Sequence, residues 1–262
     1  MTYPQIDPIA FSLGPLSVHW YGLSYLVGIA GAWALASWRA RKPNSGWTAE
    51  QVSDLAFYVA VGVIVGGRVG YGLFDAPGQW LADPLWIAKL QQGGMSFHGG
   101  LLGVMLAFLY FNYKSGKRWS VVADFAAPMV PIGLATGRLG NFINGELWGK
   151  PTDVSWGMIF PADPLQLTRH PSQLYQFMFE GVGLFLLLFL FSMKSRPAGS
   201  VAGLFGVGYG CARIGAEFFR EPDAHIGYLA GNWLTMGMVL SLPMILIGGA
   251  MMVWSYRRGP TA

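Results

Sequence analysis

Charge is what this sequence has least of. Of its 262 residues only 11% are Asp, Glu, Lys or Arg, against 53% that are hydrophobic. A soluble domain carries about 25% charged residues, so a wholly water-facing surface is excluded. Disorder is excluded as well, because it needs low hydrophobicity together with high charge. Cysteine is nearly missing. Cys211 stands alone, which excludes an internal disulfide and any cysteine-built zinc or iron–sulfur site. No Lys or Arg precedes Arg39, so the positive n-region of a cleavable signal peptide is not expected. An internal repeat is also missing, which leaves an inverted-repeat transporter without direct support.

What the sequence has instead is apolar length. Seven stretches near the roughly 20 residues that cross a bilayer run over 18–38, 52–74, 95–113, 120–137, 172–193, 199–219 and 232–255. Basic clusters follow the first, third, fifth and seventh: Arg39, Arg41 and Lys42; Lys114, Lys117 and Arg118; Lys194 and Arg196; Arg257 and Arg258. They hold ten of the seventeen basic residues. The positive-inside rule makes those loops cytoplasmic. The expectation is a single all-α membrane domain over 1–262 with about seven transmembrane helices, N-terminus periplasmic and C-terminus cytoplasmic. The formal charge of +4 is then a topology signal, and nucleic-acid binding is not expected. Pro4, Pro8 and Pro15 mark residues 1–16 as an irregular or interfacial lead-in. Residues 75–94, with Trp80, Trp86 and Lys89, suit an interfacial arm. Residues 138–171, rich in Gly, Asn, Pro and Trp, form a periplasmic head insertion, and 220–231 a further outer segment. Chemistry is therefore expected on the outer side.

A charge at the bilayer centre costs about 2.5–3.5 kcal/mol on insertion scales, so each intramembrane charge needs a reason. Arg68, Asp124, Arg138, Glu180, Arg213 and Glu217 are the cases. Tyr209, Arg213 and Glu217 are spaced i, i+4, i+8 and share one helix face. They read either as a helix–helix ion pair or as an arginine held by a carboxylate and aimed at an anion, and Arg220 continues the run outward. The block Gly137 to Gly149 begins where the fourth span reaches the outside. Its four glycines allow close backbone approach. Arg138 offers a planar donor fork suited to phosphate. Asn141 and Asn144 supply amides, and Glu146 can orient an arginine or accept a proton. A plain glycine-rich turn is the competing reading. His98, beside Gly99 and Gly100 at the outer start of the third span, can exchange protons near neutral pH, or be a hydrogen-bonded structural histidine. His170 to Gln176 opens the fifth span, and Pro171 suits a helix start. Ser172, Gln173 and Tyr175 give that start a polar face, as capping residues or as part of a site. Tyr21 and Tyr25 in the first span read as belt, packing or site residues. Arg68 has no assigned role.

These blocks together resemble the bacterial prolipoprotein diacylglyceryl transferases. Gly137 to Gly149 fits that family's signature, Gly-Arg-x-Gly/Ala-Asn-Phe-apolar-Asn-x-Glu-x-x-Gly, at every fixed position. Tyr21-Gly22, Phe97 to Gly100, His170 to Tyr175, and Tyr209 through Arg213 and Glu217 to Asp223 look like further family motifs in the right order. The resemblance covers roughly Tyr21 to Asp223. It implies transfer of the diacylglyceryl group of phosphatidylglycerol to the lipobox cysteine thiol of a preprolipoprotein, in the bacterial inner membrane. The products would be a thioether and glycerol phosphate. No metal or organic cofactor is implied, and the partners would be phosphatidylglycerol, the lipobox signal peptide and membrane lipids.

Such a reaction must deprotonate a thiol of pKa about 8.5 and stabilise charge on a departing phosphate. The resemblance points to Arg138, with Asn141, for the lipid headgroup. Arg213, oriented by Glu217 and Tyr209, would hold the phosphate or lower the thiol's pKa. His98 is the leading general base, Glu146 supports an arginine indirectly, from behind the groups that touch it, and Tyr21 hydrogen-bonds lipid or substrate. Asn144, Gly149 and Arg220 complete the expected substrate site. Because both substrates lie in the bilayer, lateral openings are expected, with glycines near Tyr71 or Gly99 giving access. The alternative is a small-solute transporter or channel with an outward anion site, which predicts broken spans paired across a repeat. A structural subunit, the third reading, would tolerate Arg213→Lys, which bidentate phosphate binding would not.

Overall fold

The computed structural model describes residues 1–4, 6–14, 16–89, 94–222 and 227–258. The chain is mostly helical and forms two compact units, one of residues 1–35 with 124–262, the other of 36–123. Helices occupy every expected apolar stretch: α1 (Trp20–Ala40), α2 (Ala49–Phe74), α4 (Phe97–Ser115), α5 (Trp119–Ala126) with α6 (Val130–Ile143), the run Ser172–Phe191, α9 (Ser200–Glu217) and α10 (Met236–Arg258). Among the described residues, three helices are long and apolar enough to cross a membrane: Ala49–Phe74, Ser172–Phe191 and Met236–Arg258. The bent pair α5 and α6 makes a fourth if it is one span.

Three expectations change. Residues 1–16 are not irregular throughout: from Ile9 on, β1 (Ile9–Leu13) and β2 (Leu16–His19) pair antiparallel as a hairpin. Gly14 turns it with a φ of +61°, a conformation that suits glycine. The fourth span does not end at 137. Its helix breaks at 127–129 beside Pro128, restarts with Pro131 in the first turn of α6, and runs on to Ile143. Arg138 and Asn141 therefore stand one turn apart on a helix, not in a glycine-rich loop.

The 36–123 unit is built on α2 and α4. Thr48 opens α2 with a capping box: Gln51 N donates to its hydroxyl at 3.1 Å, and Thr48 N donates to the Gln51 side chain at 3.3 Å. Ser96 caps α4, and Gly116 ends it in the left-handed region. The two helices touch through Gly62, Gly66 and Gly70 against Gly99 and Gly103. A Cβ at Gly99 or Gly103 would collide with the facing carbonyl of Gly66 or Gly62. Glycines four apart let backbones meet in this way. The expected access route near Gly99 is thus overturned: these glycines close a helix pair. After α2 come α3 (Pro77–Ala82) and a 3-10 turn (Pro84–Ala88). Arg68 organises this arm. Its guanidinium donates to the carbonyls of Trp86 (2.6 Å), Ile87 (3.0 Å), Lys89 (3.2 Å) and Gly94 (2.9 Å). It also lies 4.0 Å over the Trp86 ring.

In the other unit α9 and α10 form a second close pair, with Gly203 and Gly206 against Gly248. Asp124 caps α9 from outside the helix. Its carboxylate accepts from Gly199 N and Ala202 N, each at 2.7 Å, which explains one intramembrane charge. Leu184, Leu188, Val201 and Ala127 form an apolar core. The run Ser172–Phe191 is α7 (Ser172–Gln176), a π-helical segment (Phe177–Gly183) and α8 (Leu184–Phe191). The 144–171 segment carries a short hairpin, β3 (Met158–Ile159) with β4 (Thr168–Arg169). Tyr3 packs on Phe142 and Phe160, and its hydroxyl donates to the carbonyls of Phe142 and Ile143.

Candidate active site

Three helices of the larger unit bring one polar cluster together. α6 supplies Arg138 and Asn141, the π-helical segment supplies Glu180, and α9 supplies Arg213 and Glu217. The π turn is short, and Gly181 within it packs on Ala135 of α6, where a Cβ would lie 2.7 Å from the Ala135 Cβ. That close approach holds Glu180 against α6. A π-helical turn inside an α-helix is rare and recurs at functional sites.

The charges alternate along a chain. Arg138 Nη2 lies 3.6 Å from Glu180 Oε2, and Arg213 Nη1 lies 3.3 Å from Glu180 Oε1. Arg213 Nη2 meets Glu217 Oε1 at 2.7 Å, and Arg220 Nη1 meets the same oxygen at 3.3 Å. Three arginines and two carboxylates leave one positive charge in excess. Burial is uneven: both carboxylates are fully enclosed, while the side chains of Arg138 and Arg213 are 19% and 14% exposed. The carboxylates form the floor and the guanidinium groups the accessible face. Arg138 is also loosely held, since its other contact, Nη1 to Asn141 Oδ1, spans 3.5 Å. An arginine has five N–H donors, so this fork keeps donors for an anion.

The signature block closes one side. α6 ends at Ile143, and Gly145 and Leu147 adopt positive φ (64° and 59°), folding the chain back. Glu146 Oε1 accepts from Asn141 Nδ2 at 2.8 Å and from Asn144 Nδ2 at 3.4 Å. Glu146 therefore orders amides and reaches Arg138 through Asn141, whose Oδ1 accepts from that arginine at 3.5 Å. Ser172 and Gln173 clamp the same turn, donating to the carbonyls of Leu147 (2.9 Å) and Glu146 (2.6 Å). Gly149 lies where three backbone segments meet. Its N–H donates to His170 O at 2.9 Å, it bridges to Arg220, and a Cβ there would strike Phe219 O and His170 O. Only glycine fits that crossing.

The two expected tyrosines stay beside the cluster. Tyr21 stands on Gly140, where a Cβ would lie 2.9 Å from its ring, its hydroxyl is 3.0 Å from that of Tyr25, and it faces the Asn141 side chain and the Glu146 carboxylate. Tyr209 stacks on Phe205 at 5.8 Å, and its hydroxyl forms no hydrogen bond among the described residues. Glu217 therefore orients Arg213 without its help. His98 is exposed in the first turn of α4, in the 36–123 unit. His170 pairs with the Tyr175 hydroxyl at 3.0 Å, and burial pushes its pKa below the usual value. Asp223 lies outside the described residues. Beyond the cluster, Arg169 and Asp163 form a buried pair at 2.6 Å with Glu221 at 3.1 Å. The guanidinium holds the Asp163 carboxyl below the usual carboxylate range.

Within the cluster, Glu180 is the charge to which the sequence assigns no role. Its signal was an acid in the middle of a long apolar helix. What no pattern could supply was its two partners, 42 residues before it and 33 after it.

A model of the prolipoprotein diacylglyceryl transferase family matches residues 8–254. Curated relatives cover the chain almost end to end. The phosphatidylglycerol--prolipoprotein diacylglyceryl transferase of Pseudomonas fluorescens (strain Pf0-1) is 58% identical over 100% of this chain and 97% of its own length. The protein of the same name from Pseudomonas putida (strain F1) is 57% identical over 100% and 98%. That from Pseudomonas aeruginosa (strain LESB58) is 58% identical over 98% and 97%.

Proposed function

Because the chain belongs to the prolipoprotein diacylglyceryl transferase family, we propose that the chain of ion pairs from Arg138 to Arg220 is where it handles the phosphate of its lipid donor. The protein is a transferase that moves the diacylglyceryl group of phosphatidylglycerol to a prolipoprotein. The observation that carries the site is the pair of partly exposed guanidinium groups joined by one enclosed carboxylate.

In this reading the lipid enters with its phosphate against Arg138 and Arg213. The nucleophile is the lipobox cysteine of the substrate, so the chain's own Cys211 takes no part. The thiol gives up its proton and the sulfur attacks the glyceryl carbon that bears the phosphate. A C–S bond forms, the C–O bond breaks, and glycerol phosphate leaves with the electron pair. The thioether remains on the protein substrate. Charge grows on the leaving phosphate, where preorganised donors stabilise the transition state most. Arg213 is the preorganised fork, fixed by Glu217 and Glu180, while Arg138, held only loosely by Asn141 and Glu180, keeps donors free for the phosphate. His98 is the group proposed to take the thiol proton, on the strength of its motif and chemistry.

The finer topology follows the same reading. Seven helical segments would cross the inner membrane, with the basic loops cytoplasmic, the 144–171 segment periplasmic and the 75–94 arm at the headgroup level. Leu81 and Leu85, 84% and 76% exposed, suit an arm lying in lipid. The transporter alternative predicts paired broken spans; one bent pair occurs among the described residues, and the relatives carry transferase names. Purified protein mixed with labelled phosphatidylglycerol and a lipobox peptide tests the reading. A peptide heavier by one diacylglyceryl group is expected, and its absence with folded protein would end the proposal.

A further inference from the structure

Gln173, Gln176 and Glu180 follow one another at spacings of three and four, so they share a face of their helix. Their residue exposures are 1%, 1% and 0%. The two ends of this face are anchored. Glu180 sits between Arg138 and Arg213, and Gln173 Nε2 donates to Glu146 O. Gln176 lies between these anchors, yet neither Nε2 nor Oε1 of its amide has a hydrogen-bond partner. Gln173 Oε1 has none either. Glutamine is seldom fully buried, and an enclosed amide without partners is costly. A leucine or methionine would fill the same volume without that cost. The polar atoms therefore serve a partner that both donates and accepts.

We propose that Gln176 and Gln173 form a subsite for the headgroup hydroxyls of phosphatidylglycerol and set the donor specificity of the enzyme. The inference rests on the phosphate site proposed above. Gln176 is the last residue of α7 and Glu180 lies four residues on, in the π-helical segment, so the amide is next to the carboxylate along this face. A glycerol headgroup extends three carbons from a phosphate held by the arginines, which is the direction in which Gln176 is the nearest polar group on the face. Each headgroup hydroxyl is a donor and an acceptor, and the Gln176 amide offers one of each. The terminal torsion of glutamine is broad, so the amide can turn toward the substrate without moving its stem. The subsite is neutral, which suits an uncharged polyol better than an ammonium headgroup.

The test compares two donors, phosphatidylglycerol and phosphatidylpropanol, which has the same phosphate but no headgroup hydroxyl. A site that hydrogen-bonds a hydroxyl rejects the analogue lacking it. Wild-type kcat/KM is expected to favour phosphatidylglycerol by about tenfold or more. Gln176→Leu is expected to lower the phosphatidylglycerol value about tenfold and leave the phosphatidylpropanol value unchanged, bringing the ratio toward one. Gln176→Met, of similar length, replaces it if the leucine variant does not accumulate. Equal use of both donors by the wild type overturns the subsite and leaves the phosphate site standing. So does a variant that keeps the wild-type ratio. Failure of the wild type to transfer from phosphatidylglycerol would instead overturn the reaction itself.

Discussion

Arg68 in one compact unit and Arg138 in the other are both arginines in apolar helices, and they are used in opposite ways. Arg68 is 1% exposed, and its fork is spent on four backbone carbonyls and the face of Trp86. Among the described residues its hydrogen-bond partners are neutral carbonyls of the arm in its own unit, so its charge ties that arm to a helix. Arg138 is partly exposed, with one loose amide contact and one long ion pair. Its nearest carboxylate is shared with Arg213. A donor fork that is saturated within the protein builds structure, and one that is left under-used is ready for an anion. Exposure alone does not separate the two cases as clearly as the count and quality of partners.

The largest expected effect separates the arginines by activity. Arg138→Ala or Arg213→Ala should lower transfer about a thousandfold, as loss of preorganised donors does elsewhere, while the protein still accumulates in the membrane. Near wild-type turnover in a purified variant would remove that arginine from the site. Arg68→Met should do the reverse. It leaves the carbonyls of Trp86, Ile87, Lys89 and Gly94 without this donor, so stability should fall by about 3 kcal/mol. Thermal melting and protease cutting in the arm would show it, with transfer per folded molecule within about twofold of wild type. A large loss of turnover at unchanged stability would break the contrast.

The smallest effect concerns the 144–171 segment. Arg169 holds the Asp163 carboxyl below its unfolded value. That contribution is fully present above the unfolded carboxylate pKa and is lost as pH falls through the lower, folded value. Amide hydrogen exchange around the β3–β4 hairpin should therefore rise on acidification. Asp163→Asn should exchange faster at neutral pH and lose this acid dependence, and an unchanged profile would show that the pair contributes nothing to the local fold.

Much of this was legible along the chain. The apolar stretches located the helices to within a few residues, and the spacing of Tyr209, Arg213 and Glu217 placed the Arg213–Glu217 pair on one face. Asn141 and Arg138 were singled out correctly as neighbours, although in a helix rather than a turn. Other features were misread for physical reasons. Glycines in apolar helices permit close packing as readily as opening, and Gly99 and Gly103 do the former. Glu146, by contrast, does back Arg138 through Asn141, its carboxylate accepting from two asparagine amides.

By itself the sequence determined the solvent. With 11% charge, a chain that is half hydrophobic has to bury its helices in lipid, and its few intramembrane charges become conspicuous. It also determined which local groups share a helix face, since that depends only on the 3.6-residue period. Only the tertiary structure decided what each charge does. Asp124 caps a helix 75 residues away, Arg68 pins an arm, and Glu180 joins two arginines from different helices. Those assignments depend on distances of a few ångströms between residues far apart in the chain, and such distances are set by packing, which no local pattern encodes.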